Sequence, residues 1–150
     1  MRIQSLDLTR QFPRSPREIL GGYVHLARML DKARAKAAGT HGEYIYPCPL
    51  DQALLEFTKV GPDAFYKEAQ KRDDREFLTW FQGIAEPKNP PEIENWNQTF
   101  LNRKPRNEDS LRRFIETRTR LAPHRTDITC WPDLLDLEEG REVPLQAAGG

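Results

Sequence analysis

SPREILGGYVHLARMLDKARAKAAGTHGEYIYPCPLD, residues 15–51, is the stretch whose reading decides the fold. Ser15-Pro16-Arg17-Glu18 combines a capping serine, a proline in the first turn and a glutamate three residues after the cap. Serine oxygen and glutamate carboxylate then satisfy free amides reciprocally, and proline has no amide to lose. Apolar residues recur at Ile19, Tyr23, Leu26, Leu30 and Ala33, the spacing of one helix face. Gly39 offers a left-handed stop. The stretch therefore predicts one long helix over about 16–38. Its apolar sector is wide enough to make it the centre of the molecule.

Outward from it, helix starts are the clearest signals. Cys48-Pro49, Gly61-Pro62, Asp73 with Glu76, Asn89-Pro90, Asn107 and Pro132 each precede an apolar stripe, and Gly140 closes the last. Strand-like alternation is confined to Glu43–Tyr46, so at most one short extended segment is expected there. The reading is all-α: one compact domain of six or seven helices over residues 1–143, with 144–150 as a flexible tail.

The chain has 150 residues, 37 % hydrophobic and 31 % charged, which excludes disorder as the main state. No run approaches the roughly 18 apolar residues of a membrane span, and Arg2, Asp7 and Arg10 interrupt any signal-peptide core. A cytoplasmic protein with no membrane partner is expected. Cys48 and Cys130 are far apart and read as free thiols. Net charge is zero but segmented. Residues 1–40 and 101–126 each carry eight Lys and Arg against three Asp and Glu, and acidic blocks separate and follow them. Such blocks mostly face one another, so a nucleic-acid surface is not expected.

On the helix expected over 16–38, Glu18, Gly21, Gly22, His25, Arg28 and Lys32 share the face opposite the apolar sector. A mid-helix glycine costs about 0.5–1 kcal/mol against alanine, so two in a row imply close approach by a ligand or another backbone. Asp31 and Arg34, three apart beside the apolar sector, read as a structural pair, and Trp131 as a structural anchor for the terminal helix. The loop to Pro49 gathers His41, Tyr44, Tyr46 and Cys48 before Asp51. His25 and Cys48 are the candidates for chemistry, as base and thiol. Gly21, Gly22, His25, Arg28, Tyr44, Tyr46 and Asp51 are the candidates for ligand binding, with Arg28 holding an anionic small molecule. His25, His41, Cys48 and the nearby carboxylates lack metal-ligand spacing, so no metal is expected and no cofactor is implied. The alternative is a homo-oligomer or partner-helix seam on the glycine face.

Three stretches, LDLTRQFPRSPREILGGYVHLARMLDKARAKAAGTHGEY, CPLDQ and TDITCWPDLLDLEEGR, resemble a bacterial family catalogued as domain of unknown function 5069. With the helical middle, the resemblance spans about residues 5–143. It implies a small bacterial protein, usually a stand-alone domain, and carries over no catalytic residue or cofactor.

Overall fold

The computed structural model describes residues 5–146. Its elements are β1 (Ile19–Leu20), β2 (Tyr23–Val24), α1 (Leu26–Ala38), α2 (Pro49–Thr58), α3 (Pro62–Ala69), α4 (Asp74–Ile84), α5 (Pro90–Leu101), α6 (Glu108–Leu121) and α7 (Trp131–Glu138). The architecture is helical, with seven helices and one two-stranded sheet among the described residues.

The opening of the long helix is corrected. Helix α1 begins at Leu26, and residues 19–24 form an antiparallel hairpin pairing Ile19 with Val24 and Leu20 with Tyr23. Gly21 and Gly22 are its turn, with φ of 59° and 88°. Two successive positive φ values define the tight turn whose twist matches a β-hairpin, and glycine reaches them without steric cost. Ser15 still organises a local turn, its carbonyl accepting from Glu18 N and its Oγ from Arg17 N. That hydroxyl donates in turn to Asp136 of α7, so the motif docks the segment instead of starting a helix. His25 then takes a left-handed φ of 72° as the N-cap of α1.

The hairpin is fixed from outside by Asn97 of α5, which accepts from Val24 N at 3.2 Å and donates to Gly22 O at 2.8 Å. One buried amide thereby satisfies both backbone groups, as a buried hairpin end requires. No strand forms at residues 43–46; that segment is a turn leading to a cis Tyr46–Pro47 peptide.

Helix α1 is central, and Leu26 through Ala35 are all buried. It ends where a glycine allows it, with Gly39 at φ 74° donating to Lys36 O. Helices α4, α5 and α6 start at side-chain caps. Asp73 with Glu76 opens α4, Asn89 with Glu92 opens α5, and Asn107 with Ser110 opens α6. Two apolar clusters result. The larger joins Tyr23, Leu26, Met29 and Leu30 to Leu54, Phe65, Phe77 and Phe81. The smaller holds Phe114, Ile128, Leu134 and Val143. Trp131 packs edge-on against Phe114, ring centroids 5.1 Å apart.

No described helix is long and apolar enough to cross a membrane. The chain past Glu142 runs on irregularly to Gln146, whose N–H donates to Asp127 at 2.9 Å. The last four positions of the expected tail lie outside the described residues.

Candidate functional site

Four charged side chains lie among the buried residues of α1, and each needs a counter-charge because a stranded buried ion costs several kcal/mol. Every one of them has a partner. Lys32 meets Asp51 at 2.7 Å, Arg28 meets Glu139 at 2.7 Å, and Arg34 meets Asp74 at 2.9 Å. Asp31 pairs with Arg14 at 3.1 Å and not with Arg34, which corrects the expected pair. Arg14 also reaches Asp74 at 2.7 Å, so Asp31, Arg14, Asp74 and Arg34 form one alternating chain of charge.

The first polar cluster sits where α1 meets the start of α2. The Asp51 carboxylate takes His25 Nε2 at 2.7 Å on one oxygen. Its other oxygen takes Lys32 Nζ and the backbone N–H of Cys48 at 2.9 Å. This last bond makes Asp51 part of the cap of its own helix. Lys32 Nζ also donates to Cys48 Sγ at 3.2 Å. His25 and Asp51 are both fully buried. Burial opposes the charged carboxylate, but the His25 hydrogen bond and the Lys32 ammonium outweigh it and hold Asp51 well below the usual carboxylate range. Burial pushes His25 down and keeps the imidazole neutral; its Nε2–H donates to Asp51 while Nδ1 has no partner. The His25 ring rests against Phe100, 4.8 Å between centroids.

The second cluster centres on Glu139 just past α7. Arg28 grips it through both terminal nitrogens at 2.9 and 2.7 Å, Tyr44 Oη donates at 2.8 Å, and Arg141 closes the remaining side. The Arg28 guanidinium also lies 5.6 Å from the Tyr44 ring centroid, within cation–π range. Burial would raise the Glu139 carboxyl, yet the Arg28 contact prevails and lowers it. Neighbouring Glu138 has no such partner, and burial together with the Glu139 charge raises its carboxyl.

Beside this cluster opens a cleft of about 560 Å³. The N-terminal segment (Leu8, Thr9, Phe12), the loop at Tyr44, and Glu138 and Glu139 line it. A concave space of a few hundred cubic ångströms with apolar walls and few polar groups is the usual form of a small-molecule site.

Of the residues singled out from sequence, His25, Cys48 and Asp51 come together, as do Arg28 and Tyr44. Tyr46 is buried elsewhere, its hydroxyl donating to Pro62 O at 2.9 Å. Gly21 and Gly22 are not on the helix face at all. A side chain added at Gly21 would strike Leu78 of α4, so what nestles against this glycine is the chain itself. The face holding His25, Arg28 and Lys32 is real, but it is buried under the loop and α7 instead of exposed. Both terminal nitrogens of Arg28 are engaged by Glu139, and one of them also by the carbonyl of Arg14. Glu139, Arg14 and Asp74 were missed because their partners lie distant in the chain, and Glu138 because no local pattern marks it. The one available signal was the block charge, which pairs the basic first forty residues with the acidic C terminus.

A family model described as a domain of unknown function (DUF5069) matches residues 10–141, nearly the whole chain. The chain belongs to this family. The match includes the hairpin, all seven helices and both polar clusters, which places the capping Asp51 and the hub Glu139 inside the family domain. No curated protein is similar in sequence to the chain.

Proposed function

We propose that this chain is a small-molecule-binding domain whose ligand occupies the cleft between residues 8–12, Tyr44 and α7, and is an organic cation with an apolar body. One observation carries the reading. Around the cleft Glu139 is neutralised by Arg28 and Arg141, whereas Glu138 and Glu43, which also line it, form no salt bridge among the described residues, and Arg120 and Arg28 act on Glu138 only at longer range. An ammonium or guanidinium would supply a close countercharge, with Leu8, Phe12 and Leu135 receiving the apolar part. The Tyr44–Glu139–Arg28 wall is hydrogen-bonded throughout, so the site stands preorganised, which lowers the ordering cost of binding. Two unbonded cysteines fit a reducing, cytoplasmic setting.

Phenethylamine and agmatine are suitable probes. Either should raise the melting temperature of the chain, and Glu138→Gln should abolish the rise while leaving the unliganded melting temperature close to native. Absence of any amine-dependent shift, or a shift that survives Glu138→Gln, refutes the reading.

A second reading, a homodimer seam at the hairpin, draws on Ile19, which is 62 % exposed, beside the open space at Gly22. Sedimentation at several concentrations tests it. A monomer throughout removes it; a dimer lost on Ile19→Lys supports it.

A further inference from the structure

A second cleft, of about 280 Å³, lies where α5 turns towards α6. Trp96 and Phe100 form its apolar wall, and Arg103, Lys104 and Arg106 its rim. The linker between the two helices, Asn102–Asn107, is short and carries Pro105, so three cations are held within four positions of one tight connection. Its path is fixed by the C=O of Arg103, which accepts from Trp131 N at 2.9 Å. Of the basic residues that follow, Arg113 and Arg120 lie along α6 away from the cleft lining, and three others have partners. Arg112 pairs with Asp109, Arg118 donates to Ile128 O, and Arg125 pairs with Asp127. Among the described residues, none of Arg103, Lys104 and Arg106 makes a salt bridge. Burial and the Arg106 charge both work against the Arg103 cation, and Glu56 and Cys48 offset them only in part. A half-buried guanidinium with a like-charged neighbour and no paired carboxylate is electrostatically unfinished.

We propose that this cleft is a binding site for a phosphorylated small molecule, its phosphoryl oxygens held by Arg103, Lys104 and Arg106. Arginine forks match tetrahedral oxyanions in paired hydrogen bonds, and three converging cations favour a multiply charged group over a lone carboxylate. Trp96 stacks on Phe57 at 5.4 Å and on Phe100 at 5.1 Å. Trp96 is thus already stacked on two rings of the protein itself. The small volume and the missing stacking platform argue for a compact anion over an extended single strand, which needs successive aromatic faces.

Pyrophosphate titrated calorimetrically into the full chain at low ionic strength tests the proposal. Saturable binding is expected, weakening as salt is raised. Lys104→Gln with Arg106→Gln, both at exposed positions, should weaken it about tenfold or more, the loss expected for two charge-assisted contacts. Arg103→Gln should weaken it at least as much, and the double variant keeps the test open should Arg103→Gln fold poorly. Glu138→Gln should leave pyrophosphate binding unchanged, which separates this site from the amine cleft. No saturable binding, equal affinity in the double variant, or a single-stranded oligonucleotide binding about a hundredfold more tightly than pyrophosphate would each overturn the proposal.

Discussion

Helices α1 and α6 have 13 and 14 residues and comparable amphipathic patterns, yet one is sunk in the protein and the other lies on it. Ten consecutive residues of α1 are buried, four of them charged. On α6 only Phe114 is buried, and Leu111 and Ile115 remain 46 % and 40 % exposed. The charges of α6 are met by water or by near neighbours, as in Arg112–Asp109 three residues apart. The charges of α1 are met by residues that other elements deliver. Burial therefore turns the same residue types from solvated decoration into obligatory tertiary contacts. It does so without necessarily adding net stability, because desolvation offsets much of the attraction in each pair.

The contrast is broken most severely at Asp51. Asp51→Ala leaves the buried Lys32 ammonium and His25 without their acceptor, and should destabilise by about 3–5 kcal/mol in urea unfolding. Arg28→Ala should cost about 3 kcal/mol, somewhat less because Arg141 and Tyr44 still hold Glu139. Arg112→Ala on α6, the matching experiment, should change stability by less than about 0.5 kcal/mol. A large loss there would erase the distinction between the helices.

Acidity sharpens it further. His25 is neutral in the folded protein, whereas the unfolded side chain takes a proton below about pH 6.5. The unfolded state then binds more protons, so stability is full above that value and declines as pH falls below it. The lowered Asp51 adds a second decline below about pH 4, where the unfolded carboxyl protonates first. Urea midpoints measured across this range should show both phases, with the upper one absent in His25→Gln. A flat profile between pH 7 and 5 would contradict a buried neutral imidazole. A modest effect is expected at the hairpin: alanine at Gly21 or Gly22 should cost about 1 kcal/mol for the positive φ. Gly21→Ala should cost more, since its methyl also meets Leu78.

Much of the fold is legible because helix starts are local chemistry. Asp73–Glu76 and Asn89–Glu92 cap helices through atoms three residues apart, which a reader of sequence sees whole. The hairpin was legible in principle, since Gly-Gly between Ile-Leu and Tyr-Val is a turn signature. It lost to an equally good helical period running through the same residues and a serine cap upstream. That serine bonds Asp136, a partner 121 positions away that no local pattern announces. The site divides likewise. Asp51 capping Cys48 is three residues of sequence, whereas Arg28 meeting Glu139 spans 111. Polarity told that the His25–Arg28–Lys32 face was special, but not whether water or protein would cover it.

The grip of Arg28 on Glu139 ties the chain's first helix to the residue just after its last. A ribosome making this protein must therefore expose α1 until residue 139 has emerged before its guanidinium finds a mate. Full locking of α1 is then expected to wait for the C-terminal end of the domain. Nascent chains halted before residue 139 should stay protease-sensitive along their first forty residues, although every other partner of α1 has already emerged.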